Sequence, residues 1–417
     1  MRIVKLTRAV EKKLLAAREC RDHQAEKIAS KIVADVRKRG DAALFSWSRQ
    51  LDGVDLAPGR VWVSRREIDR AQHGVSSDFV HAVKHAIANV RKVANKQLPR
   101  AWSLEVEPGV RIGQMVRPIE SVGCYIPGGA STLLSTLVMT AVPAQVAGVK
   151  RIVAVCARPN DQFLAVAGIL GVSEVAPIGG AQAIAALAYG TETIVRVDKI
   201  FGPGNRFVTA AKQLVSRDCA IDLPAGPTEA IVIASRGNPR WIAADLLAQA
   251  EHATDAASIL VTTSARLAIK VRREFVEQLK NLPKANAAHI SLKQRALILL
   301  AASEDAAIDF VNRFGPEHLS LPRARAAILE QITSAGTIFV GPWAAQPLGD
   351  YASGSNHVLP TSGWARIRGG LSTADFVKCI SVQNIAREGF GRLARDVHVL
   401  AQAENLLAHQ KAVAVRE

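Results

Sequence analysis

The chain has 417 residues, 49% of them hydrophobic and 22% charged, so it can bury a large core and is too long for one domain of typical size. No run of about 18 residues is free of charges and turn formers, and the opening MRIVKLTR lacks an apolar signal core, which predicts a cytoplasmic protein without a membrane span. The net charge of +16 would by itself suit a polyanionic partner such as nucleic acid.

The basic residues do not form a patch of the kind that binds nucleic acid. They are spread along amphipathic segments together with acidic residues, as in VRREFVEQLK, and only 5% of the residues are aromatic, so stacking surfaces for bases are scarce. We therefore expect solvated helix faces, no nucleic-acid partner, and attraction of an anionic dinucleotide at most.

The cysteines do not follow a disulfide or zinc-thiolate pattern. They are odd in number, widely separated and without CxxC spacing: Cys20, Cys124, Cys156, Cys219 and Cys379. Any metal bound by this chain is therefore expected to have nitrogen and oxygen ligands.

The spacing of apolar residues predicts the order of elements along the chain. From about residue 10 to 100 they recur every three or four positions, which predicts a helical N-terminal region. From about 123 to 265, β-branched runs such as RIVAVCA and DKIFGPG alternate with Ala-rich helical stretches such as AQAIAALAYG and RFVTAAKQLV. Repeated strand and helix units predict parallel sheets with right-handed crossovers.

The last part of the chain changes character twice. A further strand is predicted at GTIFVG (336–341), and the irregular GPWAAQPLGDYASGSNHVLPTSG that follows is long enough to indicate a functional loop. From about 373 the spacing predicts helices to the C-terminus, and their apolar residues would suit docking on a neighbour.

Two glycine-containing turns are candidates for binding phosphate. IGGAQAIAA (178–186) and FGPGNRFVTAA (201–211) each place glycines between a strand and a helix N-terminus, although neither is a full GxGxxG motif. Their backbone N–H groups and helix dipoles would favour an anionic ligand in one crevice. The alternative is that the glycines form tight strand-to-helix turns and nothing more.

Gln249 and His252, in DLLAQAEH, form a candidate metal-binding pair. They are three residues apart, so on a helix they would project from one face and could share a metal ion. The alternative is a polar pair that faces water at the end of a helix.

Glu317 and His318, in FGPEHL, place a carboxylate beside an imidazole at a chain reversal, which suits a general base. The alternative is a helix N-terminus with an acidic residue in its first turn. Asp350 and His357 lie in the polar GDYASGSNH, where so many polar residues together favour a functional role. His409 follows Glu404 by five residues, about 140° around an ideal helix, so these two share a face less well than Gln249 and His252 do.

Several long motifs, in order, closely resemble the histidinol dehydrogenase family over almost the whole chain. The matching segments are GCYIPGGASTLLSTLVMTAVPAQVAGV, GGAQAIAAL, FGPGNRFVTAAK, LPAGPTEAIVIA, DLLAQAEH, GPEHLSL, GDYASGSNHVLPTSG and AENLLAHQKAV. The resemblance implies an α/β fold with two Rossmann-like parallel-sheet domains, helical N-terminal and C-terminal extensions, and a homodimer with an exchanged C-terminal segment.

The domain limits that follow from this resemblance are expectations. Residues 1–17 would be an N-terminal extension, and 18–124 with 228–372 a first α/β domain that carries the metal and the catalytic residues. Residues 125–227 would be a second, NAD-binding α/β domain, and 373–417 a C-terminal helical dimerisation segment.

The resemblance also implies roles for individual residues. One zinc ion per subunit would be held by Gln249, His252, Asp350 and His409, with His409 reaching over from the partner subunit of a dimer. Glu317 and His318 would be the catalytic bases. The NAD-binding residues would be Tyr125, Gln182 and Asn205, and the substrate-binding residues would be Thr228, Gln249, His252, His318, Asp350, His357, Glu404 and His409.

The implied reaction is the oxidation of L-histidinol through L-histidinal to L-histidine with two NAD, at the end of histidine biosynthesis. His318 would take the alcohol proton as hydride leaves to the first NAD, and Glu317 would activate water for oxidation of the bound aldehyde. A long loop and a partner subunit that close the site would retain the reactive aldehyde.

Two residues depart from the family pattern. Thr228 stands where Ser is usual, which keeps the hydroxyl and adds a methyl group to the substrate pocket. Gly315 stands where Ala is common, which would loosen the turn that presents Glu317. Because both departures keep the functional groups, they affect the fit of the substrate and not the class of reaction.

Two other functions fit parts of the sequence. A member of the same superfamily could oxidise another polar alcohol, such as a sulfonated propanediol, but the Glu404 carboxylate would repel a sulfonate. A catalytically silent NAD- or nucleic-acid-binding protein is supported by the charge of +16 alone. The intact Glu317 and His318 oppose that second alternative.

Overall fold

The structure, a computed structural model, describes residues 1–18, 22–128, 132–223, 226–323 and 326–417. The strands in chain order are β1 (Arg2–Lys5), β2 (Trp102–Glu107), β3 (Val110–Pro118), β4 (Ser121–Tyr125), β5 (Arg151–Val155), β6 (Glu174–Ala176), β7 (Lys199–Phe201), β8 (Ala220–Ile221), β9 (Glu229–Ile233), β10 (Ala257–Thr262), β11 (Ala296–Leu300), β12 (His318–Leu321), β13 (Thr337–Val340) and β14 (Val377–Ile385).

The α-helices surround these strands and connect most of them. In chain order they are α1 (Arg8–Ala16), α2 (His23–Arg39), α3 (Asp41–Trp47), α4 (Arg65–Gly74), α5 (Ser77–Gln97), α6 (Leu134–Ala147), α7 (Asp161–Leu170), α8 (Gly180–Tyr189), α9 (Arg206–Val215), α10 (Pro239–Ala250), α11 (Ala265–Leu279), α12 (Ala288–Gln294), α13 (Glu304–Phe314), α14 (Ala326–Gln331), α15 (Gln346–Tyr351), α16 (Arg387–Ala403) and α17 (Leu407–Ala414).

Two parallel sheets form the frame of the molecule, which confirms the expected α/β fold. One has five strands in the order β6-β5-β4-β7-β8, and the other has six in the order β1-β11-β10-β9-β12-β13. In the five-stranded sheet β4 lies between β5 and β7, and in the six-stranded sheet β9 lies between β10 and β12. The strand order therefore reverses beside β4 and beside β9. Parallel sheets of this order bind ligands in the crevice at that reversal.

Alternate residues of the central strands enter separate hydrophobic clusters on the two faces of each sheet. Val153 and Val155 of β5 lie in one cluster and Ala154 in another, and Val232 of β9 lies in a different cluster from Ile231. This alternation is the two-residue period of a strand, and it explains why strands buried on both faces are almost wholly apolar.

Most helices that follow a strand begin at a polar capping side chain. Asn160, Asn205, Asn238, Ser264 and Ser303 each accept a hydrogen bond from a backbone N–H in the first turn of the helix they precede. Since such caps satisfy N–H groups that have no partner within the helix, they fix where each helix starts. The polar end of each connection is thereby held at the carboxyl edge of its sheet.

The C-terminal segment differs from the expected all-helical form. Its spacing predicts helix from about residue 373, but β14 is a nine-residue strand that pairs antiparallel with β3 along its whole length. With β2 these strands form a third sheet, in the order β14-β3-β2. The β-branched residues Val377, Ile380, Val382 and Ile385 favour this extended form over helix. Helices α16 and α17 follow the strand.

The N-terminal half also departs from the expected grouping. Residues 1–17 are expected as an extension, but β1 is an edge strand of the six-stranded sheet, paired with β11. Helices α2, α4 and α5 are expected in the first domain, but they contact helices that cover the five-stranded sheet. Helix α2 contacts α8 and α9, α4 contacts α7, and α5 contacts α6. The domain limits themselves stay a prediction.

No helix in the described ranges is long and apolar enough to cross a membrane. Four of the five cysteines are described, and they are free thiols: Cys124, Cys156 and Cys219 are buried and Cys379 is exposed. Cys20 lies outside the described residues, as do parts of the GCYIPGGAS and LPAGPTE motifs.

Candidate active site

Tyr125, Gln182 and Asn205 lie at the carboxyl edge of the five-stranded sheet. Tyr125 ends β4, Gln182 lies in the first turn of α8, and Asn205 caps α9 after β7. The Tyr125 hydroxyl accepts a hydrogen bond from the Gly180 N–H at 3.1 Å. Burial raises the pKa of Tyr125, so its phenol stays neutral. The three residues therefore border the crevice where the strand order of this sheet reverses.

The turn after β7 brings the backbone close to Tyr125. Gly202 has φ +111°, and a Cβ atom there would collide with the backbone oxygen of Tyr125. Gly202 is held from both sides, since its N–H donates to Asp222 Oδ2 at 2.7 Å and its carbonyl accepts from Lys212 Nζ at 2.8 Å. Lys212 and Asp222 also form a buried ion pair. Sequence reasoning missed this pair, which fixes the turn beside the crevice.

Asp52 holds the amide of Gln182 in one orientation. Gln182 is fully buried, and its Nε2 donates to Asp52 Oδ2 at 2.8 Å. Its Oε1 has no hydrogen-bond partner within the described residues. Burial raises the pKa of Asp52, while Arg158 and the Gln182 amide oppose that shift. A buried amide oxygen without a partner is an unsatisfied acceptor.

Glu317 and His318 lie at the amino end of β12, in the six-stranded sheet. His318 is the first residue of the strand, so the alternative of a helix N-terminus is wrong. Glu317 Oε2 accepts the N–H of Glu229 at 2.9 Å and the hydroxyl proton of Thr228. The catalytic candidates thus come from the starts of β9 and β12, which are neighbours in the sheet.

His318 is buried between two carboxylates. Its Nδ1 lies 3.6 Å from Glu317 Oε2 and its Nε2 lies 3.7 Å from Asp350 Oδ1, while its ring lies against Phe339. Neither ring nitrogen has a hydrogen-bond partner within the described residues. Burial lowers the pKa of His318, but the two carboxylates outweigh burial and raise it. Within the described part of the chain, the two ring nitrogens are therefore unsatisfied polar atoms at the centre of this cluster.

Asp350 lies on α15, which places it among three histidines. Burial raises its pKa, but the net shift is downward because of His318 first and then the charges of His357 and His252. His357 Nδ1 donates to the Asp350 backbone oxygen at 2.9 Å, and its Nε2 lies 3.2 Å from the hydroxyl of Thr136 on α6. Asp350 and His357 thereby adjoin the six-stranded sheet on one side and α6 on the other.

Gln249 is the centre of a chain of hydrogen bonds that ends at Glu317. Gln346 Nε2 donates to Gln249 Oε1 at 2.6 Å, and Gln249 Nε2 donates to Thr228 Oγ1 at 2.6 Å. The Thr228 hydroxyl then donates to Glu317. The Thr228 hydroxyl, which the family resemblance expects from a Ser, therefore accepts one hydrogen bond and donates another. Gln346, which sequence reasoning missed, is buried and orients the Gln249 amide.

His252 is exposed just beyond α10, so it and Gln249 do not share one regular helix. Its Nδ1 donates to the Ala248 carbonyl at 2.9 Å, which leaves Nε2 free to bind a metal in the neutral tautomer. Within the described residues no group of three or more His, Cys, Asp and Glu is arranged to hold a metal ion. Gln249, an amide, would have to complete a set with His252 and Asp350.

Glu404 and His409 lie away from this cluster. Glu404 is the C-terminal capping residue that follows α16 and His409 lies on α17, and both side chains are exposed. No hydrogen bond or ion pair within the described ranges connects either of them to the other candidate site residues. Within a single chain, the candidate catalytic, metal-binding and substrate-binding residues therefore lie near one another, except for Glu404 and His409.

Arg18 and Glu229 form a buried ion pair next to Glu317, and the sequence analysis did not identify either residue. Glu229 is buried and Arg18 Nε donates to its Oε1 at 2.6 Å. Arg18 also donates to the carbonyls of Phe314 and Gly315, just before Glu317. Burial raises the pKa of Glu229, and Arg18 opposes that shift. A charged residue at the start of the apolar run EAIVIA was the available signal.

Gly315 ends α13 with φ +57°, in the left-handed region that glycine adopts at least cost. An alanine Cβ there would also lie 3.0 Å from Arg366 Cγ. The departure from Ala at this position thus relieves backbone strain at the turn before Glu317.

Comparisons with known proteins show the family of the chain. Residues 15–417 match the family model described as histidinol dehydrogenase. The chain is 47% identical over 386 residues to histidinol dehydrogenase from Methanothermobacter thermautotrophicus, covering 91% of this chain and 90% of that protein. It is 44% identical to histidinol dehydrogenase from Vibrio vulnificus, covering 93% and 90%.

A solved structure shows the same fold over the full length. The crystal structure of histidinol dehydrogenase from Elizabethkingia anophelis superposes with a TM-score of 0.93 at 38% identity, covering 100% of this chain and 98% of that one. Since both the sequence and the fold match over nearly the whole length, the chain belongs to the histidinol dehydrogenase family of NAD-dependent oxidoreductases.

Proposed function

We propose that this protein oxidises L-histidinol through L-histidinal to L-histidine with two NAD, in histidine biosynthesis in the cytoplasm. The observation that carries the proposal is His318, buried between the carboxylates of Glu317 and Asp350, with neither ring nitrogen hydrogen-bonded to a described residue. An imidazole in that setting accepts the proton that a hydroxyl loses as its carbon gives up hydride. The first step thus yields aldehyde, NADH and one proton.

Glu317 would act in the second oxidation. Its Oε2 is held by two donors from the start of β9, the Glu229 N–H and the Thr228 hydroxyl, so the other carboxylate oxygen can face the site. It would take a proton from water as that water adds to the aldehyde carbonyl. The hydrated aldehyde then loses hydride to a second NAD, which leaves the carboxylate, NADH and two protons.

NAD would bind at the carboxyl edge of the five-stranded sheet, through Tyr125, Gln182 and Asn205. The free Oε1 of Gln182 supplies an acceptor, and the N-termini of α8 and α9 supply partial positive charge for the pyrophosphate. His357 bonds to Thr136 of α6, so the substrate side of the molecule adjoins this edge. A substrate and a nicotinamide could therefore meet between the sheets.

A zinc ion, one per subunit, would be held by Gln249, His252 and Asp350 of one chain and by His409 of a second copy. These donors are nitrogen and oxygen atoms, which suit zinc and also manganese or cobalt. The free Nε2 of His252, with Nδ1 bonded to a carbonyl, is the usual arrangement of a metal-binding histidine. When bound, the ion would act as a Lewis acid that holds the imidazole and amine of the substrate.

A homodimer would complete the site. Glu404 and His409 lie outside the cluster in a single chain, on α16 and α17, which expose many apolar side chains. The exposed residues of β2, β14 and these helices include Leu104, Val106, Ile380, Leu400 and Leu407. Such a surface is characteristic of an interface. Exchange of the C-terminal segment would bring Glu404 to the amine of the substrate and His409 to the metal.

The test is steady-state formation of NADH from L-histidinol, with and without a chelator, together with the zinc content of the protein. We expect two NADH per histidinol, loss of turnover after chelation with the circular dichroism spectrum retained, and recovery on adding zinc. Activity that survives complete removal of metal would refute the zinc assignment. Turnover of a sulfonated propanediol in preference to histidinol would instead support the related polar-alcohol dehydrogenase.

A further inference from the structure

A cavity of about 450 Å³ opens at the carboxyl edge of the six-stranded sheet. Its walls are the segments that follow β9, β12 and β13, so it lies at the opposite end of β12 from His318. None of the candidate catalytic, metal or NAD-binding residues lines it. The residues that matter below are Asn238, Trp241, Asp245, Arg323 and Trp343.

The cavity occupies the ligand-binding position of its sheet. β9 and β12 are the neighbours at which the strand order reverses, and a crevice outside the carboxyl ends of such strands is where parallel α/β sheets bind ligands. The proposed NAD crevice lies at the corresponding place beside β4 and β7 in the other sheet. The six-stranded sheet therefore has two functional edges, because its catalytic candidates lie at the amino ends of the same strands.

The chemistry of this cavity does not suit a second dinucleotide. Helix α10, which starts at the cavity, begins with Pro239, a residue without the N–H that a phosphate would need. Asp245 lies one helical turn after Trp241 on the same face of α10, and it adds a carboxylate to the cavity wall. A pyrophosphate would be repelled there.

Asp245 is a partly buried carboxylate without a partner. It forms no hydrogen bond or ion pair within the described residues, and burial alone raises its pKa to about 6. Above that pH the cavity holds an uncompensated negative charge, which costs stability unless a cation binds. Arg323, two residues after β12, is the one other charged residue in the described cavity wall, and it has no carboxylate partner within the described ranges.

Two indole rings form the apolar part of the wall. Trp241 and Trp343 lie with ring centroids 5.2 Å apart and planes inclined by 43°. Both are partly exposed, at 43% and 77% of their surface, although tryptophan normally buries its large apolar area. An aromatic or aliphatic body placed against them would cover that area, and an ammonium group nearby would gain from their faces.

We propose that this cavity binds a small zwitterion of the amino-acid type. The ammonium pairs with Asp245, the carboxylate pairs with Arg323, and the side chain packs against Trp241 and Trp343. The volume is suited to a molecule of that size and is too small for a dinucleotide. This site is independent of the proposed oxidation, since it shares no residue with it.

The experiment titrates the full-length protein with L-phenylalanine, which is transparent where tryptophan is excited, and follows tryptophan fluorescence and heat of binding. Phenethylamine lacks the carboxylate and 3-phenylpropionate lacks the ammonium. We expect L-phenylalanine to bind at least tenfold more tightly than either. Asp245→Asn and Arg323→Gln should each weaken it at least tenfold, and Trp343→Phe should remove most of the fluorescence change while retaining binding.

Glu277→Gln is the matched control, because Glu277 is an exposed carboxylate on α11, away from the cavity wall, and should leave binding unchanged. Circular dichroism confirms that each variant is folded. Equal affinity of wild type and Asp245→Asn would overturn the proposal, as would absence of binding at millimolar concentrations. Binding of phenethylamine as tight as that of L-phenylalanine, unaffected by Arg323→Gln, would show a cation site and refute the zwitterion.

Discussion

Asp52 and Gln182, 130 residues apart in the chain, are joined by a hydrogen bond of 2.8 Å from the Gln182 amide to the Asp52 carboxylate. A carboxylate can only accept, so this bond requires the NH2 group of the amide to point toward Asp52. The amide oxygen of Gln182 must then point the other way, and it is the atom left without a partner. Asp52 therefore fixes the orientation of the Gln182 amide, with its oxygen, and not its NH2 group, directed away from Asp52.

Asp52→Ala should weaken NAD binding. Without its partner the Gln182 amide can rotate and lose the free acceptor, so we expect the Kd for NAD to rise roughly tenfold, or about 1.4 kcal/mol. Isothermal titration with NAD measures this directly. Asp55→Ala is the control, because Asp55 lies in the same segment but is exposed and pairs with Arg49. Unchanged affinity in Asp52→Ala would mean that the orientation of Gln182 does not matter for the cofactor.

Glu317→Gln and His318→Asn should fail at different steps. Glu317→Gln keeps the shape of the side chain but cannot take a proton from water, so oxidation of supplied L-histidinal should fall roughly 10²-fold to 10⁴-fold. Oxidation of histidinol to the aldehyde should fall less. His318→Asn should impair that alcohol step strongly. Single-turnover NADH formation from each substrate separates the two, and equal losses on both for Glu317→Gln would contradict the division of labour.

Arg18→Met should destabilise the protein, because it leaves the buried Glu229 carboxylate without its cation. The expected loss is about 3 kcal/mol in the free energy of unfolding. Glu229→Gln combined with Arg18→Met removes both charges and should recover a large part of that loss. Urea unfolding of both single variants and the double variant gives the coupling energy. A double variant that loses the sum of the single losses would show that the two side chains do not interact.

Mixed dimers should recover activity if the site is shared between subunits. A variant without His409 and a variant without Glu317 and His318 should each be nearly inactive. In a heterodimer, one site combines the intact bases of the first variant with the intact His409 of the second. An equal mixture refolded together should therefore reach about a quarter of wild-type activity. No recovery, with heterodimers confirmed by differential tags, would place His409 in the site of its own chain or outside it.

Asp245→Asn should stabilise the protein at neutral pH. Burial raises the pKa of Asp245 from 3.8 to about 6, so the folded state binds a proton more tightly than the unfolded state. Stability is therefore lost as the pH rises from about 4 through 6, and above that window the native carboxylate costs about 3 kcal/mol. Urea unfolding should show this gain at pH 7 and a smaller gain as the pH falls through the window. A gain that is independent of pH would show that the Asp245 charge is not its cause.

The alternation of strands and helices was predictable because each strand of the parallel sheets is a short apolar run next to a capped helix. RIVAVCA and DKIFGPG became β5 and β7, and GTIFVG became β13. Strand β14 was missed because its apolar residues, at 377, 380, 382 and 385, are separated by three, two and three positions, which matches neither a helical spacing nor an alternation throughout. Only its pairing with β3 decides between the two.

The candidate site residues that lie in sequence motifs could be predicted, whereas residues that contact them from distant parts of the chain could not. Glu317, His318 and Asp350 stand in recognisable motifs, and the structure brings these three together. Arg18 and Glu229 are 211 residues apart, and neither position has a local pattern that reveals its partner. Buried ion pairs of this kind follow from tertiary contacts, which a single sequence does not show.

The pairing of β1 with a distant strand affects the order in which the chain can fold during synthesis. Strand β1 pairs with β11, so that Arg2 lies beside Leu297, whereas the strands of the five-stranded sheet follow one another between Ser121 and Ile221. During synthesis at 5–20 residues per second, residues 2–5 wait roughly 15–60 s before β11 emerges, by which time every strand of the five-stranded sheet has been made. The core of that sheet is completed later still, because Val358, Leu371 and Phe376 pack in it, so neither sheet is complete until most of the chain has left the ribosome.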